Sequence, residues 1–287
     1  MLNIEVKCMA QIAKFNSSQV MIAGDFEAYH YCEPYSKTLD FHTHEFFECF
    51  LFLGGDVTYY IEDRVYPLIP GDLLLIPPGR MHRPVLADER APYDRMVLWL
   101  SVPYVHALCE TNDVFSSLSA LSSHGIHRIH LPEESLSFCK ALFERMTDDS
   151  FKQTSGAAIT LFLNEAARCA AAAEQPAPAA DSLMAQVLRY IDAHYTAPLT
   201  LDTLCAQFFV SKFHLLRQFK AYTNATVHDY IVTKRISYAR QCIREGMTAS
   251  DACMQAGFNE YSSFYKSFVQ KTGMTPAVFK RHCMAKR

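Results

Sequence analysis

Long apolar runs, closely spaced cysteine pairs and a large net charge are all missing from this sequence. The longest apolar stretches, residues 73–78 and 157–163, are far shorter than the roughly 18 residues that a membrane-spanning helix needs. Residues 1–24 contain no basic segment followed by an unbroken apolar one, which is the pattern of a secretory signal peptide. We therefore expect neither an integral membrane protein nor a secreted one.

The ten cysteines include no C-x-x-C pair. That spacing is typical of zinc fingers and thioredoxin-like redox sites, so these classes are excluded. Several of the cysteines lie in apolar or helical contexts, where a free thiol packs as a small hydrophobic group. We predict a cytoplasmic protein without a disulfide framework.

The formal net charge of −3 conceals two halves of opposite sign. Residues 181–287 carry fourteen Lys and Arg against seven Asp and Glu, whereas residues 1–180 carry thirteen against twenty-three. This asymmetry indicates an acidic sensing or catalytic half joined to a basic half that binds a polyanion. On charge alone, two solvated surfaces whose composition has drifted are the open alternative.

A low-complexity stretch at residues 170–181 separates the halves, and its two prolines exclude a helix there. We predict that residues 174–181 link a domain of residues 1–173 to a domain of residues 182–287. A chain of 287 residues is also long enough for two domains.

The first of these domains changes its pattern along the chain. Residues 26–102 are typical of short strands separated by turns, which indicates a small barrel or sandwich. Helical periodicity over residues 133–148 and 155–173 predicts two helices, which either cover the barrel or pair with a second subunit.

The basic half contains an internal repeat, in which residues 204–230 match residues 252–279. Two copies at this spacing indicate a duplicated unit. Each copy has a short helix with a small residue, Cys205 or Cys253, then a tight turn and a second helix. Two helices joined in this way form a helix-turn-helix, whose second helix lies in the major groove of DNA.

The second helix of each copy has an apolar face that we expect to pack inward. The outward faces combine basic, aromatic and polar residues: Phe213, Leu216, Arg217 and Lys220 in the first copy, and Tyr261, Ser262, Tyr265 and Lys266 in the second. Arg and Lys bind guanine edges or phosphates, and aromatic side chains contact thymine methyl groups. The alternative is that the exposed apolar residues only pack against a neighbouring helix.

A longer pattern runs through the basic half. It comprises S-x-x-x-L-x-R-x-F-K from Ser211 to Lys220, then Tyr230, Arg235, Ala239, Gly257-Phe258, Phe264, Phe268, G-x-T-P from Gly273 to Pro276, and Phe279-Lys280. In these positions residues 183–282 resemble the AraC/XylS-type DNA-binding domain. The resemblance implies two helix-turn-helix units joined by a long helix, here residues 227–245, with both second helices in successive major grooves. It also implies backbone contacts from Thr200, Ser211, Lys212, Lys220, Lys234, Lys266, Lys271 and Lys280.

The acidic half contains His42, His44 and Glu48 at one parity, so that on a strand all three side chains point to one face. Further along, the residues from Gly71 to His82 follow the spacing G-x5-P-x-G-x2-H. Together these patterns resemble the two motifs of cupin barrels, and the resemblance implies that His42, His44, Glu48 and His82 converge inside the barrel. Borderline divalent metals accept such a set of imidazoles and a carboxylate. The open alternative is that the histidines fix a turn or hydrogen-bond an effector.

Phe46, Phe50 and Phe52 share the parity of these histidines and are predicted to line a ligand cavity. The set that we assign to effector binding is therefore His42, His44, Phe46, Glu48, Phe50 and His82.

These patterns predict an α+β protein with an N-terminal cupin-like β-barrel, two trailing helices and a C-terminal all-α double helix-turn-helix. We expect a sequence-specific transcription regulator, not an enzyme, that forms a homodimer through the helices of residues 133–173. Its expected partners are double-stranded DNA and a small effector, with a divalent metal and RNA polymerase as further candidates. Two alternatives stay open: a metal-dependent cupin enzyme with an accessory helical domain, and a regulator whose barrel only dimerises.

Overall fold

The computed structural model describes residues 21, 23–34, 41–88, 91–111, 127–147, 154–172 and 182–285. The linker at residues 174–181 lies outside these ranges and stays a prediction. Within the described ranges, no helix combines the length and the apolar character needed to cross a bilayer.

Short runs rich in aromatic and β-branched residues form the strands of the N-terminal half, as predicted for residues 26–102. Their bounds are β1 Phe26–Pro34, β2 Phe47–Gly54, β3 Val57–Ile61, β4 Arg64–Pro67, β5 Asp72–Ile76, β6 His82–Leu86, β7 Pro92–Leu100 and β8 Arg128–His130. In the described part of the chain, these strands pair into a five-stranded sheet in the order β1-β7-β2-β5-β8 and a three-stranded sheet in the order β4-β3-β6. The pairing within both sheets is antiparallel.

The larger sheet is buried on both faces, as the side chains of β2 show. Phe50 and Phe52 belong to an aromatic core that both sheets share. Cys49 and Leu51 point the other way, into a second core. Because residues two apart on a strand share a face, Glu48 lies on the side of Phe50.

Among the described residues, three helices cover the outer face of the larger sheet: α1 Val102–Thr111, α2 Glu133–Thr147 and α3 Ser155–Ala172. The apolar residues of α2 and α3, such as Phe143 and Phe162, are buried in the same core as Cys49 and Leu51. Their rings meet edge to face with centroids 5.1 Å apart. The two predicted helices are therefore confirmed. Of the two roles predicted for their apolar stripes, the structure shows the first, in which the stripes cover the sheet.

The C-terminal half is helical, as predicted. Its helices are α4 Leu183–His194, α5 Leu201–Phe208, α6 Lys212–Thr223, α7 Val227–Arg244, α8 Ala249–Gln255, α9 Tyr261–Thr272 and α10 Pro276–Ala285. Ser211 and Thr226 cap α6 and α7 by accepting hydrogen bonds from the backbone N–H three residues on. Proline begins α10, where its missing N–H costs nothing.

The duplication extends to single hydrogen bonds at the ends of α6 and α9. Thr223 donates through Oγ1 to the carbonyl of Phe219 at 2.7 Å, and Thr272 donates to the carbonyl of Phe268 at the same distance. The residue after each threonine, Asn224 or Gly273, adopts a left-handed conformation that ends the helix. The two units therefore share their capping chemistry as well as their helix order.

Helix α7 belongs to both units. Its first half, with Tyr230 and Ile231, packs in the core of the first unit, and its second half, with Cys242 and Ile243, packs in the core of the second. The fold thus joins two helix-turn-helix units through one continuous helix, and the predicted α+β fold class is confirmed.

The N-terminal half docks on α4, α6 and α7. Lys234 of α7 donates to Glu62 at 2.6 Å and also pairs with Asp192. Further along α7, Arg240 and Arg244 both form ion pairs with Glu45. The N-terminal half therefore contacts both halves of α7.

Candidate functional site

The predicted outward faces of α6 and α9 are exposed. Phe213 is 74% exposed and Tyr261 46%, and Leu216 and Tyr265 are also on the surface. The basic residues Arg217, Lys220 and Lys266 are exposed beside them, as is Ser262. Within the described part of the chain, these apolar residues are therefore not explained by packing against a neighbouring helix.

The inward faces of the same helices are as predicted. Leu215 and Phe219 of α6, and Phe264 and Phe268 of α9, are fully buried. A helix with one face locked in a core presents its opposite face in a fixed orientation. On α6 the guanidinium of Arg217 lies over the Phe213 ring, 5.7 Å from its centroid, so basic and aromatic groups form one surface.

The remaining residues predicted to contact the nucleic-acid backbone differ in their placement. Ser211 and Lys212 are exposed at the start of α6, where Lys212 pairs with Asp202 at 2.6 Å. Lys271 pairs with Asp229 at 2.7 Å, and Lys280 donates to the carbonyl of Met247.

Lys234 requires a correction. Its side chain is only 7% exposed, because the ion pairs with Glu62 and Asp192 bury it between the two halves. The predicted backbone contact from Lys234 is therefore wrong, since a buried ammonium group that is paired twice cannot reach a phosphate.

The N-terminal half brings three of the four predicted metal ligands together. Nε2 of His44 lies 2.8 Å from Oε2 of Glu48, and Nε2 of His82 lies 3.4 Å from the same oxygen. One ligand atom from each residue lies within 4.8 Å of the other two. The two imidazoles are 0% exposed and the carboxylate 5%, so the cluster is closed to solvent.

Hydrogen bonds fix which nitrogen of each ring faces this cluster. Nδ1 of His44 donates to the Phe46 carbonyl at 2.8 Å, and Nδ1 of His82 donates to the Arg80 carbonyl at 2.9 Å. A neutral imidazole with a proton on Nδ1 has only a lone pair on Nε2. In that protonation state Nε2 is free to bind a metal ion, whereas a second proton on His44 would form the 2.8 Å hydrogen bond to Oε2 of Glu48.

Burial and the contacts among these residues shift the pKa values of His44 and Glu48. Burial lowers the pKa of His44, despite the opposing effect of Glu48. Burial acts to raise the pKa of the Glu48 carboxyl, but its contacts with the two imidazoles outweigh burial and hold this pKa well below its usual value. Nε2 of His82 is buried and has no hydrogen-bond partner among the residues that the structure describes. Two imidazole nitrogens and a carboxylate oxygen that converge in this way are a donor set that fits a divalent metal ion.

The other residues assigned to effector binding surround this cluster at different depths. The His42 ring lies 4.2 Å from that of His82, but His42 is not among the three residues whose ligand atoms converge. The Phe46 ring stacks on His44 at 4.1 Å. Phe50 and Phe52 are buried in the core between the sheets, where Phe50 contacts Tyr59, so these two rings serve packing.

A cavity of about 380 Å³ lies between the two halves, where the sequence predicted none. Its lining includes Phe47, Arg80, Asp192, Tyr195, Lys234 and Tyr238. Residues from both halves form its walls, so no local pattern in the sequence could have indicated it.

Both halves of the chain match known protein families. Residues 23–184 match the AraC-like ligand binding domain, and residues 204–282 match a helix-turn-helix domain. The chain belongs to the AraC family of DNA-binding transcription regulators. In this AraC-family protein, the histidine cluster lies in the ligand-binding domain, and α6 and α9 lie in the DNA-binding domain.

Two curated relatives give the extent of the sequence similarity. An HTH-type transcriptional regulator encoded in the cgkA 5′ region of Pseudoalteromonas carrageenovora is 32% identical over 92 residues, which cover 32% of this chain and 55% of that protein. The HTH-type transcriptional activator RhaR of Salmonella arizonae is 23% identical over 258 residues, which cover 83% of this chain and 86% of that protein.

Two solved structures are also similar. The apo form of a ToxT variant from Vibrio cholerae is 12% identical and covers 90% of this chain and 97% of its own, with a TM-score of 0.40. The DNA-binding domain of AdpA in complex with a target DNA is 22% identical and covers 38% of this chain and 97% of its own, with a TM-score of 0.36.

Proposed function

We propose that this regulator reads DNA with the outward faces of α6 and α9 and responds to a ligand held at His44, Glu48 and His82. The observation that supports the reading role is the pair of exposed faces, each combining basic and aromatic residues on a helix whose opposite face is buried. Large apolar residues are exposed at one equivalent place in both units, Leu216 and Tyr265, and a partner that contacts both units explains them. Double-stranded DNA provides phosphates for the basic residues and thymine methyl groups for the rings.

The ligand that the histidine cluster fits is a divalent transition metal. His44, Glu48 and His82 would hold it, while Phe46 and Arg80 keep both imidazoles in the correct orientation through their carbonyl groups. Three protein ligands leave a coordination position open, so a bound metal would supply a Lewis-acidic centre for an oxygen of a small effector. The alternative function is that of a metal-dependent enzyme. Apart from the three metal ligands themselves, no feature of the described residues favours catalysis at this site.

We extend the proposal to a homodimer formed through the outer faces of α2 and α3. Their inner faces are used on the sheet, but Phe138 and Leu161 are exposed on the outside, 43% and 48% respectively. A dimer would present two double helix-turn-helix domains to two half-sites. RNA polymerase is a proposed partner because the Salmonella relative is named a transcriptional activator.

The metal assignment predicts a ligand-dependent gain in stability. We expect the full chain to bind about one Zn²⁺ and to gain about 2.7 kcal/mol of unfolding free energy at a free Zn²⁺ concentration 100 times the Kd. Glu48→Gln should remove most of this gain, because the carboxylate provides the negative charge of the site. The measurement is thermal or chemical unfolding with and without Zn²⁺.

Glu134→Gln is the matched control, since Glu134 is exposed at the start of α2. It should keep the full response to Zn²⁺. Equal responses of Glu48→Gln and the wild-type chain would place the metal elsewhere, and no binding to the wild-type chain would refute the assignment.

A further inference from the structure

Two short segments of the ligand-binding domain, residues 41–44 and 80–83, lie between the histidine cluster and the DNA-binding domain. They are paired through their backbones: the N–H of His42 donates to the His82 carbonyl at 3.1 Å, and the N–H of His82 donates to the His42 carbonyl at 3.0 Å. His44 and His82 point into the cluster. Alternate residues of an extended chain face opposite sides. Phe41, Met81 and Arg83 therefore point away from the histidine cluster.

The side chains on the outer side are part of the DNA-binding domain's own core. Phe41 and Met81 are 6% and 1% exposed and belong to the same buried cluster as Leu215 and Phe219 of α6. The Phe41 ring lies 5.9 Å from that of Tyr230, edge to face. Met81 directly precedes His82, so the cluster and the core of the first helix-turn-helix unit are adjacent along one segment of backbone.

Arg83 makes the most direct contact with α6. Its Nη2 donates to the carbonyl of Tyr222, in the last turn of the helix, at 2.6 Å. A cation at this end is favourable because the unpaired carbonyls carry partial negative charge. The guanidinium also lies over the Tyr60 ring, 5.2 Å from its centroid, and the Tyr60 ring meets that of Tyr222 at 5.0 Å. The residue next to His82 therefore positions the helix that presents Arg217.

We propose that these paired segments couple the occupancy of the histidine cluster to the placement of α6, with Arg83 as the positioning residue. The inference rests on the proposed function, in which the cluster holds a ligand and α6 reads DNA. A ligand that moves His82 moves Met81 and Arg83 with it, because the three are consecutive in one extended segment. By thermodynamic linkage, DNA bound to α6 changes the affinity of the cluster for its ligand by the same factor.

The first test measures this factor on the full chain, with Zn²⁺ as the probe. DNA affinity is measured with and without Zn²⁺ for the wild-type chain, Arg83→Gln and Asp63→Asn. We expect Zn²⁺ to change the DNA affinity of the wild-type chain by about fivefold or more. In Arg83→Gln the change should fall below about twofold, while the Zn²⁺ affinity without DNA stays within about twofold of wild type.

Asp63→Asn is the matched control. Asp63 also forms an ion pair with the DNA-binding domain, with Arg189 at 2.9 Å, but it lies outside the paired segments. It should keep the wild-type response. A full response to Zn²⁺ in Arg83→Gln would overturn the coupling, and so would an equal loss in both variants. If the wild-type chain binds no Zn²⁺, the metal assignment fails and the second test decides the coupling.

The second test needs no ligand. Glu48→Gln alters the cluster from inside, Arg83→Gln breaks the contact with α6, and the double variant combines them. We expect the effects on DNA affinity to depart from additivity by about threefold or more, whereas effects at independent sites simply combine. Hydrogen exchange at residues 219–223 should be faster in both single variants, with α9 unchanged. Additive effects, or unchanged exchange in Glu48→Gln, would overturn the proposal. Arg83→Lys keeps the charge and should restore most of the wild-type behaviour, which a loss of folding would not allow.

Discussion

At the scale of single residues, Gly257 shows how closely the two helix-turn-helix units approach each other. It lies in the turn of the second unit with φ +82°, and a Cβ atom built on it would lie only 2.2 Å from the carbonyl oxygen of Thr196. Thr196 follows α4, so the glycine allows the two units to contact each other outside α7. Beside it, Arg235 donates to the carbonyls of Tyr195 and Ala197.

We expect Gly257→Ala to destabilise the protein more than Gly273→Ala. Both glycines have positive φ, but a Cβ on Gly273 would meet open space, so that variant has only the left-handed strain of about 1–2 kcal/mol. The clash with Thr196 should add about 1–3 kcal/mol in Gly257→Ala. Chemical unfolding of the two variants measures the difference, and equal losses would show that the approach to Thr196 is easily relieved.

At the scale of elements, α6 and α9 follow directly from short-range patterns. The spacing of Leu215 and Phe219 predicts the buried face of α6, and the cap at Ser211 predicts where the helix begins. The sequence also predicts the helices at residues 133–148 and 155–173. It does not decide whether their apolar stripes cover the barrel or pair with a second subunit, because an amphipathic stripe does not reveal what covers it. Only packing against Cys49 and Leu51 decided that these helices cover the sheet.

Arg217→Ala should weaken binding to the specific DNA site by about 1–3 kcal/mol and relax the base preference at one position. The reason is that a bidentate arginine discriminates between bases through the two acceptors of guanine. Competition binding against sites randomised at each position measures both effects. Arg64→Ala removes an arginine from β4, in the ligand-binding domain, and should leave DNA binding unchanged. A uniform loss across all sequences would assign Arg217 to a phosphate.

At the scale of the whole molecule, the basic residues of the C-terminal half fall into two groups. Part of the basic charge faces outward on α6 and α9. Another part is neutralised where the halves meet, since Glu62, Glu45 and Asp63 of the ligand-binding domain pair with basic residues of the other half: Lys234, Arg240, Arg244 and Arg189. Net charge per domain therefore overstates the charge that is available to DNA.

Salt dependence distinguishes these two kinds of basic residue. DNA affinity should fall steeply with salt, and Lys220→Ala should reduce the slope of log K against log salt by about one. Lys234→Met should leave the slope unchanged, because Lys234 is buried between the halves. Affinities at four or more salt concentrations provide the slopes, and an equal reduction in both variants would contradict the assignment of Lys234 to the interface.

What the sequence by itself determined is local: the strands and helices, the caps, the repeat, the opposed faces of α6 and α9, and the parity that places Glu48 beside Phe50. These follow from contacts between residues close in the chain and from the periods of strands and helices. Only the tertiary structure decided that His82, but not His42, joins His44 and Glu48, that Lys234 is buried against Glu62, and that Arg83 holds the end of α6. The physical reason is distance along the chain: Lys234 and Glu62 are 172 residues apart, and no periodicity connects them.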